Sequence, residues 1–215
     1  MTRSTDDVIA DLVRDVTPIR RLAPPLRRAL LWLAAVAAVA AIVLWRMADI
    51  GSFLVRAADP RLATELAVTL ATGVLGVVAA FHLSVPDRSR LWALAPLPPL
   101  GLWLASSGYE CWKTWIGGRG NSWAVGESAM CFMFIVAVGL TLALLLFWPL
   151  RKARPLQPGI VVLTGGLGVA GLASFLLQFF HPFDVTFMDL GLHVAAVAVL
   201  LGIAWGPGRR AVSAA

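Results

Sequence analysis

Residues that could do redox or metal chemistry are few in this sequence. There are two cysteines, Cys111 and Cys131, and three histidines. Two thiols in an oxidising compartment could form a disulfide. Alternatively, thiol and imidazole groups suit a soft or borderline metal ion. The candidate ligands for such an ion are Cys131, His181, Asp184 and His193. An ordinary hydrogen-bonding role for each histidine is the competing interpretation.

Signatures of the common enzyme classes are missing from the sequence. It contains no HExxH, CxxC or GxSxG motif and no glycine-rich phosphate-binding loop. The two cysteines are 20 residues apart, which weakens the hypothesis of a thiol-dependent membrane redox enzyme. We therefore expect that the protein is not an enzyme and that it has no cofactor, apart from the disulfide or the metal ion considered above.

The elements that must position these residues are apolar. Of the 215 residues, 59% are hydrophobic and 14% are charged, a composition typical of a membrane protein. A helix needs about 20 apolar residues to cross the hydrocarbon core. The sequence predicts six such spans, at about 29-47, 62-85, 91-107, 129-150, 159-180 and 186-206. Glycines 165, 166, 168 and 171 in the fifth span predict close approach of another helix.

A small multi-helix transporter is the alternative for such a chain. Pro96, Pro98 and Pro99 remove backbone donors from the third span and predict a bent or partly unwound helix, a feature that transporters also use. A coupled transporter normally has ionisable groups near the midplane, and the few charged residues in these spans, such as Glu65 and Asp189, lie near a predicted boundary. The sequence therefore disfavours transport.

Arginine and lysine placement predicts the orientation. If the N-terminus is inside, thirteen of the eighteen basic residues lie on the cytoplasmic side, as the positive-inside rule requires. We therefore expect both termini to lie in the cytoplasm. The basic inner rim explains the net charge of +6 by attraction to anionic lipids, so no direct nucleic-acid partner is expected.

The N-terminal arm, residues 1-27, has a pattern of its own. The sequence predicts a helix from an N-cap at Ser4 or Thr5 to about Val16, ended by Pro18. Its larger apolar residues fall within an arc of about 140°, and three aspartates lie on the opposite side. The apolar stripe comprises Val8, Ile9, Leu12, Val13 and Val16, and the acidic face comprises Asp7, Asp11 and Asp15.

The acidic face predicts what kind of surface the arm meets. An anionic leaflet would repel three aspartates, so we expect a protein partner with an apolar groove and a basic rim. A helix this short is marginal in isolation and should order fully on binding. Pro18, Pro24 and Pro25 stiffen the connector that follows. The competing interpretation is a solvated tail, or one that packs on its own bundle.

Several motifs together resemble one family. They are DDVIADLVRDVTPIRRLAPPLRRALLWL (residues 6-33), AAFHLSVPDRSR (79-90), Cys131 at the head of the fourth span, and HPFD (181-184) with His193. The chain resembles the NrsF-type anti-sigma factors of proteobacterial inner membranes over almost its whole length, most specifically in the arm.

The resemblance implies a function. The arm would bind an extracytoplasmic-function (ECF) sigma factor, keep it from RNA polymerase, and release it on a periplasmic or membrane signal, as in a stress response. The resemblance assigns contact or hinge positions to Asp7, Asp11, Leu12, Asp15, Pro18, Arg20 and Arg21, and the apolar stripe adds Val8 and Val16.

The outer cysteines depart from the family pattern. Members often carry one cysteine at the start of span four and another in a Cys-Pro-x-Asp stretch before span six. This chain keeps Cys131 but has His181 and Asp184 in the second stretch, so the resemblance does not extend to thiol sensing at that stretch. Cys111, on the same predicted side, is the other candidate.

The predicted architecture is therefore an all-α polytopic membrane protein: a cytoplasmic sigma-factor-binding arm (1-27), a six-helix transmembrane bundle (28-206) and a short cytoplasmic tail (207-215). Its expected partners are an ECF sigma factor and membrane lipids. The glycine-rich faces could also support a homodimer.

Overall fold

The computed structural model describes residues 4-14, 22-117, 125-180 and 187-213, without the side chains of 125-128. Every secondary-structure element in these ranges is a helix, with no strand among them. Its elements are α1 (Thr5–Arg14), α2 (Pro25–Met47), α3 (Ile50–Ala57), α4 (Pro60–Leu83), a 3₁₀ helix (Arg90–Leu94), α5 (Leu97–Ile116), α6 (Val125–Arg151), α7 (Pro158–Leu177), α8 (Phe187–Ile203), a π-helical turn (Ala204–Gly208) and α9 (Arg209–Ser213).

Five helical segments within the described ranges are long and apolar enough to cross a membrane. They are α2, α4, residues Ala129–Arg151 of α6, α7, and the continuous stretch Phe187–Ser213. These segments support the predicted class of helical membrane protein. The last one continues past the predicted end at 206 into residues of the predicted tail, where Val212 is buried.

The segment predicted as the third span differs from the other five. It forms a 3₁₀ helix followed by α5, and it is not among the five segments that meet the length and hydropathy criteria. The second half of α5 carries Glu110 and Lys113, which lowers its mean hydropathy. The prolines lie where the 3₁₀ helix gives way to α5 and not in the middle of a helix. Pro96 is the N-cap of α5 and Pro98 lies in its first turn, where a missing N–H costs no helical hydrogen bond. A sixth span remains a prediction.

The closest helix contact in the bundle joins α4 to α7, which run antiparallel. A Cβ atom added at Gly76 would lie 2.6 Å from the Cα of Gly168, and one added at Gly171 would lie 2.8 Å from the backbone nitrogen of Gly73. Backbone therefore meets backbone with no room for a side chain. Two of the four glycines predicted to allow close packing, Gly168 and Gly171, make this contact, and the partner helix is α4.

Two apolar clusters fill the bundle on either side of this contact. The cluster at the arm end, where α2 begins and α4 ends, includes Phe81, Leu146, Leu150 and Val212. The cluster at the opposite end, here called the cysteine end, joins α6, α7 and α8 and includes Cys131. In lipid no hydrophobic driving force brings helices together. Close van der Waals packing within these clusters therefore stabilises the bundle.

One element, α3, has no counterpart among the predicted spans. It is a two-turn amphipathic helix at the cysteine end, capped by Asp49. The Ser52 hydroxyl and backbone N–H donate to Asp49 at 2.5 and 3.1 Å, and these bonds lower the pKa of Asp49. Phe53 of α3 stacks on Phe179 with ring centroids 4.1 Å apart. This contact ties the α2–α4 connection to the end of α7.

Gly168→Ala should destabilise the protein. Its added methyl would lie 2.7 Å from the backbone nitrogen of Val77, and backbone cannot yield as a flexible side chain can, so we expect a loss of about 1–3 kcal/mol. Gly202→Ala, whose methyl would meet nothing within 4 Å, is the matched control. Reversible unfolding of the purified protein in mixed micelles measures both; equal stability of the two variants would contradict the packing described here.

Candidate partner-binding arm and sensing residues

The arm helix α1 begins at a capped N-terminus. The backbone N–H of Asp7 donates to the Ser4 hydroxyl oxygen at 3.3 Å, which satisfies one of the free donors of the first turn. Asp6 and Asp7 lie in that turn, where the positive end of the helix dipole favours a negative charge. The sequence therefore specifies the start of this helix locally, without help from the bundle.

The apolar stripe of α1 faces outward. No residue of α1 is buried, and Val8, Ile9, Leu12 and Val13 are 40% to 65% exposed. A strongly two-faced helix normally buries its apolar stripe. The alternative that this helix packs on its own bundle therefore finds no support in the described residues. Exposed apolar surface arranged on one helix face is a feature of protein-binding segments.

The acidic face is only partly described. Asp7 and Asp11 lie opposite the stripe, and the Asp11 carboxylate is 3.9 Å from a guanidinium nitrogen of Arg14. That ion pair is largely exposed and contributes little to stability. The remaining arm positions predicted to bind or to act as a hinge lie outside the described residues: Asp15, Val16, Pro18, Arg20 and Arg21.

The two cysteines lie at the cysteine end on different helices. Cys111 is 1% exposed and Cys131 is 5% exposed, and no disulfide links them in the structure. Cys131 belongs to an apolar cluster with Ile135 and Leu177. A cysteine in such surroundings behaves as a small hydrophobic side chain. Burial of both thiols limits the access of polar reagents.

The predicted metal ligands are incompletely placed. His193 lies on α8, where its Nδ1 is 2.7 Å from the carbonyl oxygen of Asp189 and its ring lies 6.4 Å from that of Trp103. His181 and Asp184 lie outside the described residues. Among the residues that the structure does place, no group of three or more potential ligands converges on one point. The metal hypothesis therefore stays a prediction.

A set of polar contacts at the cysteine end was not predicted from sequence. Glu65 on α4 is buried, and the Gln178 amide nitrogen at the end of α7 lies 3.4 Å from its carboxylate. Glu110 on α5 is 3.7 Å from Arg61 and 3.3 Å from Lys113. The position of Glu65 near a span boundary was the sequence signal, but its partners are Gln178 at the end of α7 and Ser107 on α5, which sequence spacing alone does not bring together.

These features define a class. The described chain is an all-helical membrane protein that exposes a short amphipathic helix beside a bundle of membrane-length helices. The family model of NrsF, negative regulator of sigma F, matches residues 12–212. The chain belongs to this family, which confirms the resemblance drawn from its motifs. The matched range begins inside α1, so Asp7, Val8 and Asp11 precede it. No curated protein and no solved structure matches the chain.

Thiol labelling tests the state of the cysteines. With both thiols buried, we expect maleimide to modify Cys111 and Cys131 slowly in intact membranes and completely after denaturation, without added reductant. A Tyr109→Cys variant, at a site that is 59% exposed, controls for access of the reagent. Labelling of the denatured wild-type protein that requires reductant would contradict this expectation and establish a disulfide.

Proposed function

We propose that this protein is a membrane-bound anti-sigma factor whose α1 helix binds an ECF sigma factor at the cytoplasmic face of a bacterial inner membrane. Membership of a family of negative regulators of sigma F supports the general role. The observation that carries the assignment to α1 is its exposed apolar stripe, which lies on the one described α-helix without a buried residue. The bundle then serves as anchor and as receiver of the signal.

Charge supports a sigma factor as the partner of this helix. Sigma factors present basic surfaces that face nucleic acid and apolar surfaces that dock on polymerase. A helix with Asp7 and Asp11 opposite Leu12 and Val13 is complementary to such a pair of surfaces. Anionic lipid headgroups would instead repel the aspartates. Binding to α1 would exclude polymerase by occupying the same surface.

The proposal includes a topology. The start of α2, to which the arm connects, lies at the arm end together with the α4–α5 and α6–α7 connections. The arm and these two connections carry most of the basic residues of the sequence. That distribution favours a cytoplasmic arm end and a periplasmic cysteine end, with α5 as a sixth span. The signal would then act where Cys111, Cys131 and His193 lie.

Leu12→Asp should abolish capture of the sigma factor. It would place a charge in the apolar interface, and loss of a central anchor costs about 2 kcal/mol or more, roughly a thirtyfold loss of affinity. Co-purification of the sigma factor with full-length protein from native membranes measures the effect. Ala10→Asp adds the same charge outside the stripe and should retain most of the binding. Equal capture by the two variants would reject the proposed interface.

The double substitution Asp7→Asn with Asp11→Asn should act differently. Removing two charges from the rim of an interface slows association and flattens its dependence on salt, with smaller effects on dissociation. We expect the association rate at low salt to fall by about tenfold, and the wild-type and variant rates to converge at high salt. Surface plasmon resonance with immobilised full-length protein measures both rates. An unchanged salt dependence would show that the acidic face does not meet a basic surface.

A further inference from the structure

A proline near the end of α6 leaves one backbone carbonyl group without its helical donor. Pro149 lies in the last turn of α6 and has no backbone N–H. The carbonyl oxygen of Leu145, four residues earlier, therefore cannot receive the usual intrahelical hydrogen bond. The carbonyl oxygen of Pro149 is among the last four of the helix and also has no intrahelical donor. An unpaired carbonyl in a membrane-embedded bundle is costly.

Two side chains of α2 supply the missing donors. The indole Nε1 of Trp32 donates to the Leu145 carbonyl oxygen at 3.2 Å, and a guanidinium nitrogen of Arg28 donates to the Pro149 carbonyl oxygen at 2.6 Å. Arg28 and Trp32 are four residues apart and so lie on one helix face. The Arg28 guanidinium also lies over the Phe81 ring, 5.1 Å from its centroid. We call the pairing of Arg28 and Trp32 with Leu145 and Pro149 the α2–α6 latch.

The latch lies at the N-terminal end of α2, where this helix packs most closely on the bundle. The buried residues of α2 are Pro25 and Ala29, both in its first turn and a half. Farther along, Val39, Ile42 and Trp45 are exposed, with Trp45 at 80%. The closest packing of α2 on the bundle is therefore near its N-terminus, directly after the connector from the arm.

The same α6 helix reaches the cysteine end. It carries Cys131 there and packs against α7 and α8 through Ile135 and neighbouring residues. A displacement of α6 at the cysteine end would move Leu145 and Pro149 at the arm end, because a helix transmits displacement along its axis.

We propose that the α2–α6 latch is the coupling element that holds the arm in its capture-competent position, and that displacement of α6 opens the latch and weakens capture. The proposal rests on the proposed function of the arm. It makes Arg28 and Trp32 positioning residues, whose effect on the partner passes through the placement of α2.

Hydrogen exchange in the full-length protein tests whether the latch exists. In lipid nanodiscs, Trp32→Phe removes the indole donor and should speed amide exchange in residues 25–33 by about two- to tenfold, the range expected for one hydrogen bond. Pro149→Ala restores a donor to Leu145 within α6, so it should speed exchange to a similar degree. Adding Trp32→Phe to Pro149→Ala should change exchange little further. Trp45→Phe, the same change at the exposed end of α2, is the control and should have no effect.

Retention of the sigma factor by the same variants tests the coupling. We expect Trp32→Phe to lower retention severalfold and Trp45→Phe to leave it unchanged. Exchange that does not respond to Trp32→Phe would overturn the latch itself. Faster exchange with unchanged retention, while Leu12→Asp still abolishes capture, would overturn the coupling. If Leu12→Asp leaves capture intact, the proposed function of the arm fails and the coupling with it, whereas the exchange measurements still decide whether the latch exists.

Discussion

The backbone contact between α4 and α7 is the constraint around which the bundle is built. Gly73 and Gly76 on one helix meet Gly168 and Gly171 on the other with no room for a Cβ atom. Lipid does not drive apolar helices together, so close approach of this kind supplies the packing energy and backbone contact that association needs. Among the described helices this pair shares the most extensive contact, and α6 packs against α7 while α5 and the foot of α2 pack against α4. Both apolar clusters therefore depend on it.

The arm helix α1 does not take part in this packing. The apolar surface of each membrane-length helix is covered by another helix or would be covered by lipid. By contrast, no described residue buries the apolar stripe of α1. The start of α1 is specified locally by the Ser4 cap, and a helix this short is expected to order fully when a partner binds. The two contacts therefore have different roles. The glycine contact stabilises the bundle, and the latch at Arg28 and Trp32 fixes the position from which the arm extends.

Much of this architecture could be predicted from sequence. The membrane helices are long apolar runs, and α1 has apolar residues repeated at the period of a helix. The helix α3 was missed, since eight residues between two spans leave too short a pattern, and only its contact with Phe179 shows its place. The prolines of the third segment were expected to bend a helix, but they lie at its start. The bond from Trp32 to Leu145 could not be predicted, because Pro149 reveals an unpaired carbonyl group without revealing which helix supplies the donor. Burial of Cys111 and Cys131 likewise depends on helix rotation, which spacing does not determine.

The central claim is that α1 touches a sigma factor in the native membrane. A photo-crosslinking amino acid placed at Leu12 of the full-length protein in living cells tests this contact directly, with the same probe at Ala10 for comparison. The account predicts an ultraviolet-dependent adduct between the Leu12 probe and a sigma factor, with a much weaker adduct from Ala10. Adducts from Leu12 only to the protein's own helices or to lipid would contradict it.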